Sequence, residues 1–372
     1  MKLTIERAAL LKSLAHVQSV VERRNTIPIL ANVLIQAEED RLELTATDMD
    51  LTVVEQAAAE VAVPGATTVS AHTLYDIVRK LPEGAQLEFA SSGEAGQMTL
   101  SSGRSAFTLA TLPKEDFPTS GAETFPQSFS LAAGEIRNLI DRTRFAISTE
   151  ETRYYLNGIY LHGAENGEIS LLRAVATDGH RLARFEMPLP EGARGMPGVI
   201  VPRKTVGELR KLIEEGEQSV QVALSETKVR FAFDSTELTS KLIDGTFPDY
   251  ERVIPSGNDK IMSVDRREFS SAVDRVSTIS TEKSRAVKLS LGDSSLTLSA
   301  TSPESGSAVE EIEVNYGGEP MEIGFNARYL LDIAQQIEGE KAEFALSDAA
   351  SPTVVRDIDD ASALYVLMPM RV

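Results

Sequence analysis

Apolar and polar positions alternate along this chain with two different periods. Leu10, Leu11, Leu14, Val17 and Val21 recur at helical spacing, as do Ile136, Leu139 and Ile140, and then Phe269, Ala272, Val273 and Val276. Residues three and four apart share one helix face, so amphipathic helices are predicted over Glu6–Val21, Ala132–Ile147 and Asp265–Thr278. Between them run short stretches of period two, such as Arg41–Thr45, Val220–Ala223, Lys228–Phe233 and Ser295–Ser299. Flanked by Gly, Asp, Asn and Ser, these predict half-buried antiparallel strands.

A second set of helices repeats. Thr68–Gly84, Ile200–Gly216 and Ile323–Gly339 each read as strand end, helix and closing glycine, the glycines lying 132 and 123 residues apart. Glycine at such an end predicts a left-handed cap. Each third therefore carries two helices and a set of antiparallel strands, an α+β class. Punctuation at Pro126 and at Ile254–Gly257 sets expected domains of 1–125, 126–252 and 253–372. The repeat also sorts shared residues from particular ones. Ala46-Thr47-Asp48 and Ala176-Thr177-Asp178 lie 130 apart, as do Phe117-Pro118 and Phe247-Pro248. A structural job explains what is shared; Gly179-His180-Arg181 stands where the first copy has Met49-Asp50-Leu51 and the third Ser302-Pro303-Glu304, and needs its own reason.

Composition narrows the classes. There is no cysteine, so disulfide, thiolate-metal and cysteine-nucleophile chemistry are excluded. The longest run without Asp, Glu, Lys or Arg, Val61–Tyr75, is too short and polar to span a bilayer. Glu6, Arg7 and Lys12 interrupt any leader-like apolar run, so a start at Met1 and a cytoplasmic location are expected. Net charge is −19, from 37 Lys+Arg and 56 Asp+Glu, yet the six helical segments hold 17 basic and 12 acidic residues. Helices facing one cavity would make it positive inside an acidic shell, suited to a phosphate backbone. Solvated helix faces explain the same bias. No P-loop, dinucleotide-binding glycine motif or zinc-binding histidine pair is present. Asp178, His180 and Arg181 could form an acid–base set, although no nucleophile accompanies them. A scaffold that binds proteins but never DNA is a further alternative. The tail Leu364–Val372 ends in Met-Pro-Met-Arg, either plain core or an adaptable lining for partner peptides.

Ile27–Leu30 (IPIL), Thr45–Asp48 (TATD), Arg153–Gly158 (RYYLNG), Val175–Ala183 (VATDGHRLA), Val201–Lys204 (VPRK), Ser240–Tyr250 (SKLIDGTFPDY), Glu322–Asn326 (EIGFN) and Tyr365–Arg371 (YVLMPMR) together resemble the bacterial sliding clamps, the beta subunits of the replicative DNA polymerase III. The resemblance runs end to end. It implies the DNA clamp fold, closed head-to-tail as a homodimer into a six-domain ring around duplex DNA, with no catalysis and no cofactor. Implied partners are the DNA polymerase III alpha subunit, the clamp loader, and other polymerases and repair proteins, each carrying a short clamp-binding peptide. The implied peptide cleft comprises Leu156, Thr177, Gly179, His180, Arg181, Leu182, Pro248, Arg252, Val253, Asn326, Tyr329, Val366, Leu367, Met368, Pro369, Met370 and Arg371. Ser284 and Pro352 depart from the family pattern near it. For DNA the resemblance implies Arg24, Tyr154 and Tyr155, while helix charge adds Arg79, Lys80, Arg203, Lys204, Arg210 and Lys211; strand packing is the alternative for the tyrosines. For ring closure it implies Arg104 and Phe107 facing Ile279, Glu304 and Glu310, in a thinned acidic segment Glu304–Glu311.

Overall fold

The computed structural model describes residues 1–23, 26–91, 96–118, 121, 123–213, 218–280 and 285–371. Six helices form there: α1 (Arg7–Gln18), α2 (Ala71–Lys80), α3 (Ala133–Asp141), α4 (Arg203–Leu212), α5 (Arg266–Ser277) and α6 (Ala327–Ala334). Strands run straight into them, and the junction residue acts as the cap. Glu6, Ser70, Asp265 and Asn326 accept backbone N–H groups of the first turns of α1, α2, α5 and α6. The repeat extends to single hydrogen bonds: Arg7, Ala133 and Arg266, each first in its helix, donate N–H to the carbonyls of Ala85, Gln218 and Glu340 at 2.9, 2.7 and 2.9 Å.

The chain packs as two compact units: one of 1–135, 190–193 and 207–242, the other of 136–189, 194–206 and 243–372. In the first, a thirteen-stranded antiparallel sheet carries α1 and α2 side by side. Within that sheet Thr236–Lys241 pairs with Leu51–Ala58, Leu238 opposite Val53, so the middle copy adds its strands to the first. In the second unit a nine-stranded sheet forms the same way, Arg181–Pro188 pairing with Ala363–Leu367 and Leu182 opposite Val366. A four-stranded sheet, with α5 beside α6, completes that unit.

Three expectations change. The helix predicted through Ile147 ends at Asp141, where the Thr143 hydroxyl donates to the Leu139 carbonyl at 2.6 Å and the chain tightens into a 3₁₀ turn at Arg144–Ala146. The closing glycines do not share one reason. Gly84 has φ +71°, whereas Gly339 is required by proximity, since a Cβ there would lie 2.5 Å from the Asp357 carboxylate; Gly216 lies outside the described residues. The third copy is also one residue out of the expected register, because Ser302, not its predecessor, holds the turn described next.

Candidate binding cleft

The shared Thr-Asp pairs do one structural job. Asp48 accepts the N–H groups of Asp50 and Leu51 at 2.9 and 2.7 Å, and Asp178 those of His180 and Arg181 at 2.9 and 3.1 Å. Thr47 and Thr177 hydroxyls donate to the carbonyls of Leu51 and Arg181. In the third copy Ser302 accepts from Glu304 and Ser305. These are side-chain-held hairpin turns, in which residue 179 takes φ +87° and residue 49 takes φ +80°. What distinguishes the middle copy is its glycine. A Cβ on Gly179 would lie 2.5 Å from Arg153 Nη1, so a side chain there would displace that guanidinium.

Around this turn lies an apolar cavity of about 250 Å³. Leu156, Thr177, Gly179, Arg181, Leu182, Pro248, Val253, Val366 and Met368 line it, as expected of them, and so do Arg153, Tyr155, Asp249 and Tyr250. Its floor is the buried cluster of Leu156, Val175, Leu182, Ile200, Phe247, Tyr250, Val354, Leu364 and Val366. The other expected cleft residues sit elsewhere. His180 and Tyr329 line a neighbouring polar cavity. Asn326 caps α6, Leu367 is buried in its strand, and Arg252 is exposed on an ion pair with Asp249 at 2.7 Å. Pro369 and Arg371 follow Met368 along the tail, and Met370 donates its N–H to the Gly324 carbonyl at 2.8 Å. Pro352 gives its carbonyl to Asn258; Ser284 lies outside the described residues.

Arg181 is a strut, not a free clasp. It is 8% exposed, and its guanidinium donates to Asp178 at 3.2 Å, to Asp332 and to the Phe145 carbonyl at 2.6 Å, lying over the Tyr329 ring at 4.3 Å. A second strut stands behind Tyr250. Arg173 reaches Glu186 at 2.8 Å, Glu251 at 2.7 Å and the Tyr250 hydroxyl at 3.4 Å, and His162 meets that hydroxyl at 3.0 Å. Tyr160 stacks between His162 and Phe247, its ring 4.6 and 4.8 Å from theirs. Burial pushes the Tyr250 phenol up and the His162 imidazole down, so both favour their neutral forms.

The two tyrosines proposed for DNA separate. Both lie in a 3₁₀ segment, Glu151–Leu156, not in a strand, so strand packing is excluded. Tyr154 is 53% exposed, while Tyr155 packs against the buried cluster and lines the cavity. Arg79 and Lys80 end α2 exposed, Arg79 paired with Asp76; Arg203 and Lys204 open α4 exposed, Arg210 is half-buried, and Lys211 holds Glu208 at 2.7 Å. Arg24 lies outside the described residues.

Of the expected closure residues, Phe107 and Glu310 lie on sheet edges. Arg104 is exposed at the turn of a hairpin whose second strand, Ser105–Leu112, carries half-buried Phe107 and pairs on its second side only at Thr111 and Leu112 among the described residues. Gly306–Glu313 ends the four-stranded sheet, with Val309 70% exposed. Exposed Glu304 lies in the preceding turn, and half-buried Ile279 follows α5. Glu310 is already held by Arg275, whose guanidinium lowers that carboxyl below its ordinary range, so it is not the free acid expected for a partner's Arg104.

Fold and cleft together define a repeat-built clamp with a peptide-sized apolar pocket. The sequence models of the DNA polymerase III beta subunit match in order: N-terminal domain at 1–121, central domain at 130–249, C-terminal domain at 251–371. The beta sliding clamp of Caulobacter vibrioides is 57% identical over 372 residues, and that of Escherichia coli K12 40% identical over 374, each covering 100% of both chains. The structure of a Bartonella birtlesii sliding clamp bound to griselimycin superposes with a TM-score of 0.97 at 53% identity, over 100% of both chains. A C. crescentus beta sliding clamp structure gives 0.96 at 57% identity, again over 100% of both. The chain belongs to the DNA polymerase III beta subunit family and is a DNA sliding clamp, a processivity factor. Among the described residues no helix is long and apolar enough to cross a membrane.

Proposed function

We propose that two copies of this chain, each of domains 1–125, 126–252 and 253–372, close head-to-tail into a ring around duplex DNA in the cytoplasm. The ring tethers the DNA polymerase III alpha subunit, and the clamp loader and other polymerases and repair proteins use the same cleft. The apolar cavity beside the 177–181 turn carries this reading: its size and lining suit a Leu or Phe anchor of a short peptide. Free edges at Ser105–Ala110 and Gly306–Glu313 suit strand pairing between copies. Arg79, Lys80, Arg203, Lys204, Arg210, Lys211 and exposed Tyr154 serve as weak, sequence-blind phosphate contacts, with retention supplied by topology.

The non-catalytic reading is supported by the structural use of Asp178 in its own turn. Both Asp178 oxygens are engaged, by two backbone N–H groups and by Arg181, and among the described residues no hydrogen bond joins them to the His180 ring. The test is retention on nicked circular duplex after loading with a matched loader and ATP. A ring stays on the circle and runs off once one restriction cut linearises it; equal retention before and after the cut overturns the reading.

A further inference from the structure

Nine methionines stand in this chain, and the fold gives them very different access to water. Met98, Met196 and Met262 are buried, and Met1, Met187, Met321 and Met370 are half-buried. Met49 and Met368 alone are exposed, at 52% and 40%. Met49 belongs to the turn at 47–51, whereas Met368 lines the apolar pocket. The backbone fixes Met368 there, since its N–H donates to the His180 carbonyl at 2.9 Å and Leu367 beside it is buried. A water-accessible thioether is thus held against a wall made largely of Leu156, Leu182, Pro248, Val253 and Val366. Most donors of that wall are already engaged. The Thr177 hydroxyl donates to the Arg181 carbonyl at 2.7 Å, and the Arg181 guanidinium to Asp178, Asp332 and the Phe145 carbonyl. Arg153 forks Glu150 at 2.9 and 2.7 Å, and the Tyr250 hydroxyl meets His162.

We propose that Met368 is an oxidation site through which a hydroperoxide turns peptide binding down. This rests on the pocket being the peptide site. The Met368 sulfur attacks one oxygen of hydrogen peroxide, so that an S–O bond forms as the O–O bond breaks. Sulfur loses the two electrons that the peroxide gains, and the proton of the transferred oxygen passes to the departing hydroxide, giving water. The product is a polar, chiral sulfoxide in place of a flexible apolar chain, and a reductase can reverse it. In the empty pocket the new oxygen is hydrated, so the chain stays folded. An apolar anchor settling beside it strips that water and leaves an acceptor without a donor, which costs binding. Met370 does not share this role, because it is half-buried, tied to Gly324 and not part of the lining.

The full chain is treated with dilute hydrogen peroxide, oxygen uptake is mapped by mass spectrometry of its digest, and a labelled Leu-Phe-anchored peptide without Met, Cys or Trp is titrated before and after. Met49 and Met368 gain oxygen ahead of the other seven, and affinity falls about tenfold. The two methionine sulfoxide reductases, one for each epimer, restore it. Met49→Leu keeps the tenfold response, and Met368→Leu, whatever its starting affinity, shows none. Conversion of Met49 with Met368 left intact, an affinity unchanged once Met368 is converted, or a loss that persists in Met368→Leu overturns the proposal alone. A urea midpoint lowered by the treatment assigns the loss to unfolding and overturns it likewise. If the peptide fails to bind the untreated chain, the cleft reading itself falls and takes the oxidation site's role with it.

Discussion

A buried guanidinium must satisfy its N–H donors inside the protein, and Arg181 spends its donors on two carboxylates and a carbonyl. It shapes the pocket by holding the turn and α6 together. Met368 is the contrasting case, protruding at 40% exposure from the pocket wall, where a flexible thioether adapts to an incoming side chain. Met368→Ala should weaken a Leu-Phe-anchored peptide by about 1–2 kcal/mol, roughly 5- to 30-fold, in a direct titration. Met370→Ala should do less, because Met370 is tied to Gly324 and does not line the cavity. Tyr365 predicts a pH dependence. Burial pushes its phenol up to about 12, so above its ordinary value of 10 the unfolded chain loses a proton that the folded chain keeps. Its contribution to stability is complete below pH 10 and falls between pH 10 and about 12, at about 1.4 kcal/mol per pH unit. Urea midpoints across that range should show the decline, and Tyr365→Phe should flatten it.

At the scale of elements, the pocket is built from short irregular pieces braced by charge. The 3₁₀ segments Glu151–Leu156 and Tyr250–Val253 supply Arg153, Tyr155, Leu156, Tyr250 and Val253, and neither has a periodicity that sequence reading could catch. Arg173 fastens the second of them from behind. Arg173→Met leaves Glu186, only 15% exposed, with the more distant Arg184 at 3.6 Å in place of its 2.8 Å partner. That change should cost about 3 kcal/mol in urea denaturation and loosen peptide binding, and the further change Glu186→Met should recover part of the lost stability. Helices were easier to read, because both a 3.6-residue period and a capping residue are local. Even so, α3 ends early, where a threonine hydroxyl competes for a helix carbonyl.

For the whole molecule, the proposed closure uses sheet edges that lack a second partner strand among the described residues. Phe107 lies on one such edge, and Ile279 lies in the chain that follows α5. Placing charges there should prevent apolar contact between copies, so Phe107→Asp with Ile279→Asp should give a native mass near the 40.4 kDa chain, where the unaltered protein gives about twice that. Light scattering checks this, and a persistently dimeric variant sinks the assigned edges. Arg275 holds Glu310 within the same chain, so the proposed closure rests on strand pairing and apolar contact rather than on that carboxylate.

The triple repeat, the two helices per copy, the strands around them and the segregation of basic residues to helices were all determined by sequence, since each is carried by residues close together in the chain. The shared turn at Asp48 and Asp178 was readable for the same reason: its hydrogen bonds span only two or three residues. Tertiary structure alone decided which of the cleft residues face the cavity, that Tyr155 turns inward while Tyr154 does not, and that the middle copy adds strands to both of its neighbours. Those outcomes depend on pairings such as Leu238 with Val53, Leu182 with Val366 and Arg181 with Asp332. No period or motif encodes such contacts, because they are set by how side chains far apart in sequence share the same buried space.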